Sequence, residues 1–178
     1  MTKNEFRKSC LRRLQFQSRF AKIKKDYKLN LEIKKVIDYH KPKKILFYLP
    51  LKNEVDLTKL MKSFRQENRC KVYVPFMKGD SFIPVLYRLP LKSKRFGIKE
   101  PYYSSLQEKK IDLDMIIVPI VGVDATYRRV GFGAGMYDRF YEKISKKPVV
   151  IFTQLTLCKT FEIVTDTHDI RPDYIITM

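Results

Sequence analysis

The sequence predicts an α/β fold: a single three-layer domain over residues 1–178, with a mainly parallel central sheet flanked by helices. Short apolar runs of strand length alternate along the chain with amphipathic segments of helix length, an order typical of parallel sheets covered by helices. Hydrophobic residues make up 44% of the chain, enough for one well-packed core. We find no Ser/Gly-rich linker and no internal repeat in the sequence, so we expect one domain.

Four helices are predicted. Thr2 and Glu5 have the spacing of a capping box at the start of the first helix. The second helix covers about 31–40, the third follows Asp56 as its cap, and the fourth covers about 135–146. The predicted inward-facing residues are Phe6, Cys10, Leu14 and Gln17 in the first helix, Val36 and Ile37 in the second, and Leu57, Leu60, Met61 and Phe64 in the third.

Strands are predicted where short apolar runs stand between turn residues. The run at 115–118 is the most apolar of these segments. The segment at 81–89 is predicted to form one or two short strands, because Pro84 interrupts it. The other predicted strands are 45–49, 71–76, 149–152 and 174–176.

The net charge of +18 is the unusual bulk property of the chain. Residues 1–50 hold 15 Lys/Arg against 4 Asp/Glu, a net of +11, and the other 128 residues hold 22 against 15, a net of +7. A basic surface attracts nucleic acid, acidic lipid, nucleotides or polycarboxylates. Because the lysines are scattered over every segment, we favour a solvated lysine-rich surface over a dedicated polyanion site.

Cysteine usage and hydropathy indicate a cytoplasmic protein. Cys10, Cys70 and Cys158 are an odd number at wide spacings, which favours reduced thiols over a disulfide framework or a zinc site. No apolar run approaches the roughly 18 residues that span a bilayer, and no apolar segment follows the basic N-terminus as in a secretory signal. We therefore expect no membrane partner.

A glycine turn carries the strongest chemical pattern. In the segment RRVGFGAGMYDRFYEK, Gly131, Gly133 and Gly135 alternate just before a predicted helix, so backbone amides and a helix N-terminus could bind a phosphate. Arg129 precedes the turn, and Asp138 follows it by one helical turn, where a carboxylate suits Mg²⁺ beside a phosphate. The spacing is neither a Rossmann fingerprint nor a Walker A loop, so a tight turn without a ligand remains an alternative.

Five segments in order resemble the 5-formyltetrahydrofolate cyclo-ligases, also called methenyltetrahydrofolate synthetases. The segment GVDATYRRVGFGAGMYDRFYEK is similar to that family's Gly-rich pattern ending Gly-Tyr-Tyr-Asp-Arg-Phe. The other four are Lys3-x-x-Phe6-Arg7; Tyr48-Leu49-Pro50 followed by Asn53-Glu54-Val55-Asp56; FGIKEP at 96–101; and Gln154 with His168-Asp169. The matches span about residues 3–177.

This resemblance implies ATP-dependent closure of 5-formyltetrahydrofolate, with or without a polyglutamate tail, to 5,10-methenyltetrahydrofolate. ADP and phosphate are released, and Mg²⁺ is required. The γ-phosphoryl group would pass to the formyl oxygen, N10 would attack the formyl carbon, and phosphate would leave. Positioning and charge neutralisation would be the main tasks of such a protein.

The resemblance also assigns roles by position. Lys3 and Arg7, four residues apart on one helix face, would hold the ATP phosphates, and Glu54 would contact the folate. Asp138 and Asp169 would bind Mg²⁺, whereas His168 would be structural. The ATP-binding turn comprises Arg129, Gly131, Phe132, Gly133, Ala134, Gly135, Met136 and Tyr137, of which Arg129 and Tyr137 are the catalytic candidates.

Two departures from the family pattern bear on affinity. Met136 replaces the first tyrosine of the Tyr-Tyr pair, and Ala134 stands where glycine or a basic residue is common.

Two other functions remain open. A basic nucleic-acid-binding module would use the charge and aromatic residues such as Tyr73, Tyr87, Tyr102 and Tyr103, although helix-turn-helix, zinc-finger and RNA-recognition patterns are lacking. A different ATP-dependent enzyme would keep the phosphate site but change the acceptor. We predict a monomeric cyclo-ligase with no nucleic-acid partner.

Overall fold

The computed structural model describes residues 1–93, 99–102 and 111–178. The helices in this part of the chain are α1 (Lys3–Gln17), α2 (Lys22–His40), α3 (Thr58–Gln66) and α4 (Met136–Lys143). The strands are β1 (Lys44–Leu46), β2 (Lys71–Lys78), β3 (Ser81–Leu86), β4 (Leu91–Ser93), β5 (Lys99–Pro101), β6 (Met115–Pro119), β7 (Gly122–Val123), β8 (Arg129–Val130), β9 (Val149–Thr153) and β10 (Tyr174–Ile176).

Six strands form the central sheet in the order β10-β9-β6-β1-β2-β3. All neighbours are parallel except β2 and β3, which form an antiparallel hairpin at one edge. Pro84 lies in the edge strand β3 opposite Pro75, where a missing backbone donor is tolerated. The predicted α/β fold with a mainly parallel sheet is confirmed.

Alternate residues of the strands face two helical layers, as the pleat requires. Ile45 and Ile117 pack in one core with α2 and α3, whose buried residues include Ile33 and Met61. Leu46, Ile116 and Val118 pack in the other core with Phe140 of α4. The three-layer arrangement predicted from the sequence is therefore present.

Strand order reverses between β1 and β6, because the chain builds one side of the sheet from β1 to β3 and the other from β6 to β10. In open α/β sheets, ligands bind beyond the carboxyl ends of the strands at such a switch point. The segment around Tyr48 and Glu54 follows β1, and Pro119 ends β6. The fold thus brings two of the conspicuous sequence segments to the same edge.

Helix α1 begins with the predicted capping box: Glu5 N donates to Thr2 Oγ1 at 3.2 Å, and Thr2 N donates to Glu5 Oε2 at 2.7 Å. Its buried residues Phe6, Cys10 and Leu14 form a third cluster with Val121, Val130 and Cys158, apart from the two main cores. This docking holds the N-terminal helix beside β7 and β8, and therefore beside the glycine turn.

Two expectations need correction. Cys10 and Cys158 form a disulfide 148 residues apart in sequence, and only Cys70 is a free thiol. The expectation of three reduced thiols was wrong because the docking of α1 brings two widely spaced cysteines together. Helix α2 begins at Lys22, nine residues before the predicted start, since a Lys22–Asp26 ion pair and Leu29 extend it.

Segments that span a membrane are not found: no helix in the described residues is long and apolar enough.

Candidate active site

Two cavities meet at the switch point of the sheet. The polar cavity, about 210 Å³, is lined by Lys3, Arg7, Arg129, Gly131, Gly133, Gly135, Asp138, Arg139, Glu142, His168 and Asp169. The apolar cavity, about 220 Å³, is lined by Tyr48, Leu49, Leu51, Glu54, Pro75, Met77, Phe82, Lys99, Pro119, Arg129, Phe132, Ala134, Gly135, Met136 and Tyr137. Arg129 and Gly135 line both, so these two residues form the shared wall.

The Arg129 guanidinium is buried between the cavities, with 5% of the side chain exposed. Its Nη1 donates to Asp138 Oδ2 at 2.8 Å, and its Nε and Nη2 lie 3.4 Å from the Pro119 carbonyl oxygen. The Tyr137 ring lies 5.3 Å from the guanidinium carbon, a cation–π distance. These contacts hold one positive charge where the cavities meet.

Asp138 is the counter-ion of Arg129. Its Oδ2 accepts from Arg129, and its Oδ1 accepts from Ile170 N at 3.3 Å. The carboxylate is buried, and each of its two oxygens accepts a hydrogen bond from the protein. In this arrangement Asp138 orients Arg129 and links α4 to the segment before β10.

The glycines of the turn are required for space at Gly131 and for backbone conformation at Gly133 and Gly135. A Cβ on Gly131 would lie 2.4 Å from Arg129 Nη1, and Gly133 and Gly135 have φ of +115° and +61°, which favour glycine. Gly135 caps α4 without a side-chain hydrogen bond, so the first amides of α4 remain available to an anion.

Helix α1 adds two cations to the polar cavity. Arg7 Nε donates to Gly131 O at 2.8 Å, which ties α1 to the turn. Lys3 Nζ lies 2.5 Å from Asp169 Oδ2 and 3.3 Å from Asp166 Oδ2. The predicted phosphate-binding residues are thus at the cavity, and Lys3 is paired with the carboxylate predicted to bind Mg²⁺.

Asp166, His168 and Asp169 offer ligand atoms within 4.8 Å of one another. Asp169 Oδ2 accepts from Asp166 N at 2.7 Å as well as from Lys3, which orders the loop. Carboxylate oxygens are the usual protein ligands of Mg²⁺, which keeps several waters and phosphate oxygens in its shell. This group fits a magnesium ion at the edge of the polar cavity better than Asp138 does in the present arrangement.

Glu54 is a buried carboxyl group in the wall of the apolar cavity. Burial raises the pKa of Glu54 to about 7, although the hydrogen bond from Leu51 N and the charge of Arg129 act in the opposite direction. Burial, followed by the nearby Glu54 charge, also raises the pKa of Tyr137 well above its ordinary value. Tyr137 is therefore a neutral hydrogen-bonding group at neutral pH.

Every residue predicted for the site lines one of the two cavities, but the glycine-turn segment divides between them. Lys3, Arg7, Asp138 and Asp169 lie at the polar cavity, and Glu54 lies at the apolar one. Four residues that were assigned to the ATP turn line the apolar cavity and not the polar one: Phe132, Ala134, Met136 and Tyr137.

Several lining residues were not predicted. Met77 and Phe82 come from the β2–β3 hairpin, whose sequence shows only strand character. Arg139 lies within the quoted glycine-rich segment, but one of its partners, Asp80, is distant in sequence. In the 96–101 segment, 96–98 fall outside the described residues, as does Tyr103; Glu100 is buried, and its Oε1 accepts from Met77 N at 2.9 Å.

Comparisons with known proteins cover the whole chain. The model of the 5-formyltetrahydrofolate cyclo-ligase family matches residues 1–178. The 5-formyltetrahydrofolate cyclo-ligase of Mycoplasma pneumoniae is 26% identical over 180 residues, covering 99% of this chain and 98% of that protein. The one from Haemophilus influenzae is 27% identical over 121 residues, 65% of this chain and 64% of that protein.

Two solved structures are similar over nearly the full length. The NMR structure of Aquifex aeolicus 5,10-methenyltetrahydrofolate synthetase has a TM-score of 0.77 at 26% identity, covering 99% of this chain and 90% of that chain. The 5,10-methenyltetrahydrofolate synthetase of Mycoplasma pneumoniae has a TM-score of 0.71 at 25% identity, covering 99% and 98%.

Removing the charge of Asp138 is expected to destabilise the fold. Asp138→Asn leaves the buried Arg129 guanidinium without its counter-ion, and losing one partner of a buried pair costs about 3–5 kcal/mol. Urea unfolding measures this loss. Glu32→Gln, which breaks an exposed pair with Lys35, is the control and should change stability by at most about 1 kcal/mol. Equal effects of the two substitutions would show that the Arg129–Asp138 pair is not a buried ion pair.

Ionisation of Glu54 is expected to lower stability as pH rises. The native pKa of about 7 exceeds the ordinary value of 4.5, so the native state retains a proton that the unfolded state has lost. The stabilisation is complete below about pH 4.5 and is lost as pH rises through 7, by roughly 3 kcal/mol. Glu54→Gln resembles the protonated acid and should gain stability relative to wild type over this range.

Urea unfolding of wild type and Glu54→Gln at several pH values tests this expectation, with the exposed Glu67→Gln as the control. Parallel pH profiles for wild type and Glu54→Gln would mean that Glu54 titrates as an ordinary surface carboxylate.

Proposed function

The chain belongs to the 5-formyltetrahydrofolate cyclo-ligase family, and from that premise we propose that its polar cavity binds ATP and its apolar cavity binds the folate. Its activity is the conversion of 5-formyltetrahydrofolate to 5,10-methenyltetrahydrofolate. The observation that carries the assignment of the cavities is the buried Arg129 guanidinium, which lines both. A phosphoryl donor in one cavity and its acceptor in the other would meet at this charge.

The polar cavity suits a triphosphate. Lys3, Arg7, Arg129 and Arg139 line it, together with the three glycines of the turn. The amides at the start of α4 add a further favourable field for an anion. Within this site we assign phosphate contacts to Lys3, Arg7, Arg129 and the three glycines of the turn.

Magnesium belongs at the Asp169 side of the same cavity. Asp169, with Asp166 and His168 beside it, would hold the ion, and Asp138 could join only by releasing Arg129 or Ile170 N. A bound magnesium ion would neutralise phosphate charge and favour release of ADP. Lys3 would exchange its carboxylate partners for a phosphate oxygen when the nucleotide arrives.

The apolar cavity suits the pterin ring. Phe82, Met77 and Met136 present apolar surface, and Glu54 is the carboxyl group among them. A pterin offers neighbouring N–H donors that an ionised carboxylate accepts, so folate binding would draw Glu54 into its charged form. Desolvation makes this pairing selective, because an unpaired buried carboxylate is costly.

The reaction follows from this arrangement. The formyl oxygen takes the γ-phosphoryl group of ATP as the bond to the ADP oxygen breaks, which turns a poor leaving group into a good one. N10 then attacks the formyl carbon, loses its proton, and phosphate departs as the ring closes. Arg129 stabilises the negative charge that moves between the cavities, and neutral Tyr137 can donate a hydrogen bond beside it.

Incubation with 5-formyltetrahydrofolate and Mg-ATP, followed by absorbance in the methenyl band and by ADP release, tests the proposed ATP-dependent reaction. We expect one ADP per methenyl product and no product without nucleotide or Mg²⁺. Product formation at full rate without ATP would contradict the phosphoryl-transfer route.

Arg7→Ala is expected to impair use of ATP. The substitution removes a charge-assisted contact worth about 1.5–3 kcal/mol, a roughly tenfold to hundredfold loss in kcat/KM for ATP, with a small change in melting temperature. Arg12→Ala is the matched control, because Arg12 is exposed on the same helix and does not line either cavity. If both variants have wild-type kinetics, α1 is only a charged surface.

A further inference from the structure

The Arg139 side chain hydrogen-bonds the tip of the β2–β3 hairpin to the glycine turn. Arg139 Nε donates to Asp80 O at 2.9 Å, and its Nη2 donates to the same carbonyl and to Ala134 O. The Asp80 carboxylate lies 3.3 Å from Arg139 Nε. One guanidinium thus connects two loops that are 54 residues apart in sequence.

Packing reinforces this connection. Ser81 Oγ donates to Met136 O at 3.2 Å, at the start of α4. The Phe82 ring stacks on Phe140 with centroids 4.5 Å apart and meets the Tyr137 ring edge-on at 4.9 Å. The hairpin and the start of α4 therefore form one packed unit.

This unit is part of both cavities. Pro75, Met77 and Phe82 of the hairpin form a wall of the apolar cavity. Arg139 lines the polar cavity, where a Cβ on Gly135 would lie 2.8 Å from its Nη1. Ala134 cannot shift without moving the Arg139 side chain or breaking its hydrogen bond.

We propose that Arg139 is a positioning residue that couples the binding of the two substrates. When ATP binds and orders the glycine turn, the hydrogen bond from Arg139 to the Asp80 carbonyl holds the hairpin against the folate. Folate binding, by ordering the hairpin, likewise orders the glycine turn. The coupling is reciprocal, as binding linkage requires. The proposal rests on the assignment of ATP and folate to the two cavities.

Arginine is suited to this role because its planar fork holds its donors in a fixed geometry toward two carbonyls, whereas the lysine ammonium is a compact group on a flexible stem. The Arg139 side chain is 37% exposed and that of Asp80 is 69% exposed, so their ion pair contributes little. Directional hydrogen bonds from the Arg139 guanidinium to two backbone oxygens connect the loops.

Calorimetric titration tests the coupling. The dissociation constant of 5-formyltetrahydrofolate is measured with and without the magnesium complex of adenylyl imidodiphosphate, which avoids turnover. We expect each ligand to tighten the other by about fivefold or more in wild type. Arg139→Met, which has no donors, should reduce this factor to below about twofold, and Arg139→Lys should retain an intermediate factor.

Asp80→Ala is the matched control, because it removes the carboxylate but keeps the carbonyl that Arg139 contacts. It should retain the wild-type coupling factor. If Arg139→Met shows no cooperative unfolding transition in a thermal melt, the coupling factors of Arg139→Lys and Asp80→Ala are compared instead.

Three results would overturn the proposal. A coupling factor near one in the wild-type protein would refute it. If the enzyme still turns over normally, the proposed function stands and only the coupling proposal fails. Full coupling in Arg139→Met, or in Arg139→Lys if Arg139→Met does not fold, would also refute it. A loss of nucleotide affinity that is equal with and without folate would make Arg139 a direct phosphate ligand.

Discussion

The buried ion pair between Arg129 and Asp138 is the interaction on which the site depends. A guanidinium that is 5% exposed is tolerated in a protein interior only with a counter-ion and satisfied donors, and Asp138 and the Pro119 carbonyl supply both. This requirement determines much of the surrounding backbone. Gly131 has no room for a Cβ against the guanidinium, and α4 is placed so that Asp138 reaches it from its first turn.

The two cavities that meet at this pair differ in their lining. Four cations, three carboxylates and the glycine turn line the polar cavity, whereas apolar side chains predominate in the other, where burial suppresses the ionisation of Glu54. An anionic phosphate and a flat ring with N–H donors are complementary to the two halves. The net charge of +18 adds long-range attraction for both anionic substrates without specifying either.

The sequence predicted the elements whose periodicity is local, and it missed contacts made by distant segments. Capping by Thr2, the apolar run of β6 and the glycine turn were all recognisable in a few residues. The Cys10–Cys158 bond and the Arg139–Asp80 contact were not, because each joins segments that meet only after the sheet has formed. Asp138 was predicted as a metal ligand because a carboxylate beside a phosphate site is a natural ligand of Mg²⁺. The ion pair that it forms with Arg129, nine residues earlier, could not be predicted from the sequence, because it depends on how the turn folds.

The Arg129 guanidinium lines both cavities and, in the proposed function, contributes to the binding of both substrates. Arg129→Lys keeps the buried positive charge and its attraction to Asp138 but loses the planar fork, so the fold should survive in a thermal melt. Separate calorimetric titrations with the magnesium complex of adenylyl imidodiphosphate and with 5-formyltetrahydrofolate measure the affinity of each cavity. We expect both affinities to fall, each by about tenfold or more. Wild-type affinity for either ligand would contradict it.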